Sequence, residues 1–485
     1  MSVVTSGHFS AVSFLCAITL IFGGLVLQAN ALPQSDLATW QEIYRSKAYK
    51  VQVIQDDSWK NVFTYGLAKK SNTGWQTGSE GLVNFCSFSS DAVAKIRIYF
   101  LNSKVSSFNI TPRSLRSRAL LNGQVLNIAL KPLEKAWITL NGNEGSPLFL
   151  FCDPPKPSVP SGCIYFGPGI HRLKQPCHPA NKQTVYLDRG AWVVGSIDLR
   201  ARSHVRVMGP GVLSGEEKLA NSIHRERDRP RYSMIIGDQN QSSLDNRVEG
   251  ITIVDSPTYN FVCGPDHISN VKLISPWHWS TDGFQMIPRG NGTAMIENCF
   301  AFVGDDVFFP RENFRGNIEI RDCLVASCNN SVFQLCYWGD SLRHNYQAWI
   351  HNITVKSFIQ GQGAVFRASL DRSDHLDTGF KNMLFENIVI ENGLQVPLFQ
   401  IENRPYYFGG KTYASCGNSS NIVFRNITVE GNAPVRSTLL GLNERNGHHD
   451  YLFEKVTING LKIDQNNFGS YFQLNDFCSG IRFQP

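Results

Sequence analysis

Phe385-Glu386-Asn387-Ile388-Val389-Ile390, Phe424-Arg425-Asn426-Ile427-Thr428-Val429 and Phe453-Glu454-Lys455-Val456-Thr457-Ile458 are three versions of one phrase. Earlier versions stand at Gly250–Val254, Asn270–Ile274, Met295–Phe302, Ile318–Val325 and His351–Val355, at spacings of about 20 to 40 residues. A strand–turn unit that recurs but cannot bury its own face must stack on its neighbours. Short β-rich units without helical periodicity point to a right-handed parallel β-helix. No L-x-x-L-x-L frame recurs, which disfavours a leucine-rich solenoid. Several copies are too short for propeller blades, which need about 40 residues each.

Upstream the texture changes. Stretches such as Lys50-Val51-Gln52-Val53-Ile54 and Lys95-Ile96-Arg97-Ile98-Tyr99-Phe100 alternate with period two between Gly, Asn and Ser turns. That pattern predicts a β-sandwich. The prolines of Asp153–Gly162 forbid regular pairing and read as a linker. The expected organisation is a segment 1–31, a β-sandwich domain over 32–155 and a catalytic β-helix domain over 156–485.

The chain has 485 residues, 42% hydrophobic and 18% charged, which excludes a small disulfide-stapled scaffold and a disordered protein. A net charge of +6 spread over this length is too mild to make nucleic acid or an anionic membrane the main partner. Residues 1–31 carry no Lys, Arg, Asp or Glu, and an apolar run from Ala11 to Leu27 precedes Ala29-Asn30-Ala31. This reads as a secretory signal peptide. An uncleaved signal anchor is the alternative. Secretion predicts that several cysteines pair, with Cys163–Cys177 and Cys86–Cys152 as plausible partners. Seven N-x-S/T sequons, at Asn109, Asn240, Asn291, Asn329, Asn352, Asn418 and Asn426, suit a secreted glycoprotein. No Cys/His cluster has zinc spacing, so neither metal nor cofactor is expected.

Two neighbouring coils carry acids at matching places. Thr281-Asp282-Gly283 follows one repeat, and Gly304-Asp305-Asp306 follows the next, 23 residues from Asp282 to Asp305. Equivalent positions on successive coils stack at about 4.8 Å. The β-helix therefore gathers Asp282, Asp305 and Asp306 into one patch. Clustered carboxylates split their pKa values, so that one donates a proton while another activates water. A turn-forming role for Asp305-Asp306, or a calcium site, is the competing use. Trp277, Trp279, Tyr337 and Trp338 lie in or near these coils and suit either sugar stacking or interior packing. Gln334 can hold a sugar hydroxyl or the attacking water, or stand in a structural ladder. His278 can tune an aspartate, and Arg311, with Arg315 and Arg343, can supply positive charge.

These stretches, with Tyr165–His171 and Asn329–Gly339, resemble glycoside hydrolase family 49, the dextranases and isopullulanases of the pectin-lyase-like superfamily. The resemblance implies inverting hydrolysis of an α-glucan by three aspartates, carried here by Asp282, Asp305 and Asp306. Two departures stand out. Phe284 follows the T-D-G where an Ile is expected, and Val307-Phe308-Phe309-Pro310-Arg311 replaces a small residue and a Lys-bearing strand. Polygalacturonases share the D…D-D pattern but carry G-H-G and R-I-K motifs, which this chain lacks. The expectation is a secreted inverting hydrolase of a neutral polysaccharide such as dextran or pullulan. The alternatives are a polygalacturonase-like hydrolase and a non-catalytic carbohydrate-binding β-helix.

Overall fold

The computed structural model describes residues 41–68, 82–217, 233–237, 243–277, 280–286, 292–310, 316–336, 347–357, 363–369, 379–403, 406–408, 411–413 and 417–485. The expected signal peptide, and the sequons at Asn240 and Asn291, lie outside these residues.

Strands between Tyr49 and Asp153 form two five-stranded sheets. In the first, Tyr49–Gln55 lies between Ser58–Val62 and Ala94–Phe100, all antiparallel. Its burial alternates because one face meets the core and the other meets solvent. Val51, Val53, Ile96 and Ile98 pack there against Phe88, Ile138, Leu148 and Leu150 of the second sheet. Asn143–Asp153 breaks the alternation, with its last seven residues all buried. The cause is that its second face is covered too. Phe149 and Phe151 meet Phe300 at ring centroid distances of 4.8 and 5.0 Å, and Phe300 belongs to the coils beyond the linker.

From Ile164 onward the strands are almost all parallel and wind as a β-helix. A typical coil contributes His267–Ser269, Lys272–Ser275 and Phe284–Met286. The next coil stacks Thr293–Glu297, Phe300–Val303 and Phe308–Pro310 on them in register. The fold is thus a β-sandwich followed by a parallel β-helix, as the repeats predicted.

Two features explain the recurring phrase. Its apolar positions form interior columns, such as Ile268, Ile296, Ile320, Ile350, Phe385, Phe424 and Phe453. On the third strands Phe261, Phe284, Phe308, Phe333, Phe366 and Phe399 stack ring on ring, 4.9–5.5 Å apart. Its asparagine makes the turn. Asn352, Asn387 and Asn426 sit at φ of 56°, 55° and 53°, a left-handed conformation that Asn adopts more readily than most residues. Stacked coils bring these amides together, so Asn387 donates to Asn352 at 3.2 Å and Asn426 to Asn387 at 2.7 Å.

The cysteine pairing is corrected by the register. Leu150, not Cys152, lies opposite Cys86, and Cys152 lies opposite Phe88. Cys163 precedes the strand Ile164–Phe166, while Cys177 bridges to Ile197. All four thiols are free.

The two parts of the fold meet over a buried ion pair. Lys272, wholly buried, donates to Asp153 Oδ1 at 2.5 Å, and Asn270 Nδ2 donates to the same oxygen at 2.8 Å. Lys135 is buried nearby, and desolvation, with repulsion from Lys272, pushes its ammonium pKa down to about 8.

Candidate active site

Between its second and third strands each coil turns a corner, and the corners after Ser275 and Val303 carry the aspartates. Thr281 shapes the first corner. Its hydroxyl donates to Ser275 O at 2.8 Å and accepts Gly304 N–H from the next coil at 2.9 Å. Gly283 is required by close approach, since a Cβ there would lie 2.5 Å from Val307 O. At the second corner the chain bends through Gly304 and Asp305 before the next strand starts at Phe308. The bend turns both adjacent aspartates to one side, without a positive φ at Gly304.

One carboxylate oxygen each from Asp282, Asp305 and Asp306 lies within 4.8 Å of the others. The one-coil spacing thus brings the three residues together as the sequence predicted. Stacking at one strand spacing, with two of the acids adjacent in sequence, is the physical reason.

Each carboxylate is held differently. Asp282 and Asp306 are buried, while Asp305 is half-buried. Asp305 accepts the Ser280 N–H at 2.9 Å and the Asp306 N–H at 3.1 Å. Asp306 Oδ1 accepts the Ser331 N–H at 3.0 Å and the Ser331 hydroxyl, and its Oδ2 accepts Asn330 Nδ2 at 3.2 Å. Desolvation raises the pKa of Asp305. Desolvation, then repulsion from Asp305, pushes Asp306 up to about 7. The adjacent pair therefore retains a proton at pH values where free carboxyls have lost theirs.

Sequence reasoning missed the groups that tune this pair. Arg367 Nη1 donates to Asn330 Oδ1, so a cation is tied to Asp306 through one amide. Its charge opposes the upward shift of both aspartates. Arg367 lies beside Gln334 in the parallel ladder, one coil further on. Gln334 is buried, and its side-chain amide lies 3.2 Å from the Ser331 hydroxyl that donates to Asp306, which places it beside that bond.

Trp277 is a correction. It is 3% exposed, packs in the core between sandwich and β-helix, and donates its indole N–H to Asp255 at 3.1 Å. At that burial the ring presents no face on which a sugar could stack. His278, Trp279, Arg311, Arg315, Tyr337, Trp338 and Arg343 lie outside the described residues.

No protein-family model matches the chain. It is similar to a dextranase of Arthrobacter globiformis, 26% identical over 274 residues, which cover 48% of this chain and 40% of the relative. A dextranase of a second Arthrobacter strain is 27% identical over 269 residues, with the same two coverages. A dextranase of Talaromyces minioluteus is 22% identical over 353 residues, covering 63% of this chain and 53% of the relative. The chain thus spans well under two thirds of the length of the relatives it matches. Among solved structures, Dex49A from Penicillium minioluteum superposes with a TM-score of 0.61 at 16% identity, covering 90% of this chain and 94% of that one. That likeness shows a shared fold.

Proposed function

We propose that this homologue of the family 49 dextranases is a secreted glycoside hydrolase that cleaves a neutral α-glucan, dextran first. The observation that carries the reading is the carboxylate trio at the coil corner, with the Asp305–Asp306 pKa values pushed upward. Hydrolysis of a glycosidic bond needs one carboxyl protonated toward the leaving oxygen and another ionised toward water. Asp305 is the more exposed of the adjacent pair and donates to the glycosidic oxygen from the minority form in which it, rather than Asp306, holds the shared proton. Asp306, fixed by Ser331 and Asn330, and Asp282 across the corner activate the water. We further propose that the anomeric configuration inverts, that residues 1–31 direct secretion, and that residues 32–155 and 156–485 act as sandwich and catalytic domains.

Reducing-sugar release from dextran, pullulan and polygalacturonate tests the substrate class, and NMR of the first-formed product anomer tests the stereochemistry. Retention would reject inversion while leaving hydrolysis intact. One observation favours a second reading. Arg367, linked to the site through Asn330, is a cation of the kind that grips a uronic acid. Release from polygalacturonate alone would select that reading. Activity on none of the three would favour a binding protein.

A further inference from the structure

Asn260 is wholly buried and stands just before Phe261, which pairs with Phe284 of the next coil, so it lies beneath Gly283. Its backbone N–H and its side-chain Nδ2 both donate to one acceptor, the main-chain oxygen of Asp282, at 2.8 and 2.9 Å. A carbonyl oxygen only accepts, so the amide nitrogen must face it and Asn260 Oδ1 must face away. That Oδ1 accepts the Ser275 hydroxyl at 3.1 Å. Ser275 ends the strand Lys272–Ser275, and Asp282 stands two residues before the strand Phe284–Met286. One side chain thus ties the point where the corner leaves one strand to the point where it approaches the next.

Two groups of the aspartate site hang on the corner that Asn260 closes. Asp282 is one of them. The other is the Ser280 N–H, which donates to Asp305 at 2.9 Å. The hydroxyl of Thr281, between them, donates to Ser275 O at 2.8 Å and accepts Gly304 N–H at 2.9 Å. A shift of this corner therefore changes the separation of Asp282 from the adjacent pair and loosens the Ser280 bond at the same time. The amide is not a repeating need of the fold. The same ladder position carries Met234 on the coil before, and Gly283 and Val307 on the two coils after, none of which has a side-chain amide. The amide stands on the coil directly below the aspartates.

We propose that Asn260 is a positioning residue for the hydrolysis, its side chain fixing the corner that sets Asp282 against the Asp305–Asp306 pair. The inference rests on the function proposed above. Asn260→Ala removes both side-chain bonds and keeps the N–H. Its kcat on dextran should fall about 10²-fold, the cost of displacing reacting groups by about 1 Å, while KM holds because the buried amide touches no substrate. Asn260→Asp separates the bonds. Its protonated carboxyl can donate to Asp282 O and accept from Ser275, so at pH 4.5 its kcat should exceed that of Asn260→Ala. Ionised, it has no proton to donate, and the advantage should vanish by pH 8. A residue that only stabilises the fold would lower Tm and leave kcat unchanged at a temperature where calorimetry shows every variant folded. That result, or a raised KM with kcat intact, overturns the inference. Crystal structures of wild type and Asn260→Ala give a readout independent of turnover, with the Ser280 N–H expected to move out of hydrogen-bond reach of Asp305. An unchanged corner overturns the inference. If the alanine variant does not fold, Asn260→Asp crystallised at pH 8 takes its place. Wild-type chain that cleaves no dextran refutes the proposed function, and the crystal comparison then still decides whether Asn260 holds the corner.

Discussion

Ser331 donates twice to one oxygen of Asp306, through its backbone N–H at 3.0 Å and through its hydroxyl. Both bonds favour the ionised carboxylate, yet burial and Asp305 outweigh them and the pKa still lies at about 7. Removing the hydroxyl should push it higher. If ionised Asp306 activates water, Ser331→Ala moves the acidic limb of the kcat profile to higher pH. The loss should be larger at pH 5 than at pH 8, because more of the carboxylate is protonated at the lower value. A uniform loss across that range would show that Ser331 only holds the corner's shape.

The two adjacent aspartates should fail in different ways. Asp305→Asn removes the proposed proton donor, a loss of about 10²–10⁴-fold on polymer. An activated aryl glycoside has a leaving group that needs less protonation, so it should be partly spared. Asp282→Asn and Asp306→Asn remove water activation, which no leaving group rescues. Steady-state kinetics on both substrates separate the cases. Equal losses on both for Asp305→Asn would remove it as the acid.

Arg367 opposes the upward shift of both aspartates. Arg367→Gln should therefore raise both limbs of the pH profile, while Arg367→Lys keeps the charge and moves them less. The planar fork that reaches Asn330 is lost in lysine, so a fall in kcat is expected even where the limbs hold. Identical profiles for wild type and Arg367→Gln would show that the cation does not act on the pair.

Stability should also follow the pair. The carboxyl of Asp306 titrates at about 7 folded, against the ordinary 3.8 when exposed. Between those values the native state holds a proton that the unfolded chain has released, so stability falls as pH rises through the window. Asp306→Asn abolishes that dependence. Its Tm relative to wild type should be more favourable at pH 7.5 than at pH 4.0, measured by calorimetry. A difference of the opposite sign would mean that the carboxylate is ionised throughout.

The repeat and the aspartate trio were legible because both follow from backbone spacing. A coil of about 23 residues stacks like on like, whatever fills the loops. Arg367 was not legible, standing 62 residues after Asp305 with irregular loop lengths between. Ser331 and Asn330 lay inside the quoted Asn329–Gly339 stretch, yet their target is set by which way each side chain leaves the strand. For Trp277 the sequence left sugar stacking and interior packing both open, because proximity to acids along the chain does not say which way the ring leaves the coil; its burial selects packing. The Cys86–Cys152 pairing failed on register, since two parallel strands were joined two residues out of step.

The junction ion pair gives the last prediction. Lys272 is wholly buried, and its Nζ donates to Asp153 Oδ1 at 2.5 Å and to Gly250 O at 3.0 Å. Asp153→Ala leaves that ammonium in an apolar setting beside Phe151 and near Lys135. Breaking a buried pair from one side costs about 3–5 kcal/mol. Lys272→Met should cost less. Asp153 would keep the Ser87 hydroxyl and the Asn270 amide, and Lys135 would remain to balance its charge. Methionine would also lie against the Phe151 ring without a charge to solvate. The double variant Asp153→Ala/Lys272→Met removes both charges, so its loss should fall well short of the two single losses added together. Urea denaturation of the four proteins measures all three differences. An Asp153→Ala loss under about 1 kcal/mol would mean that water reaches Lys272 and that the junction is open rather than sealed.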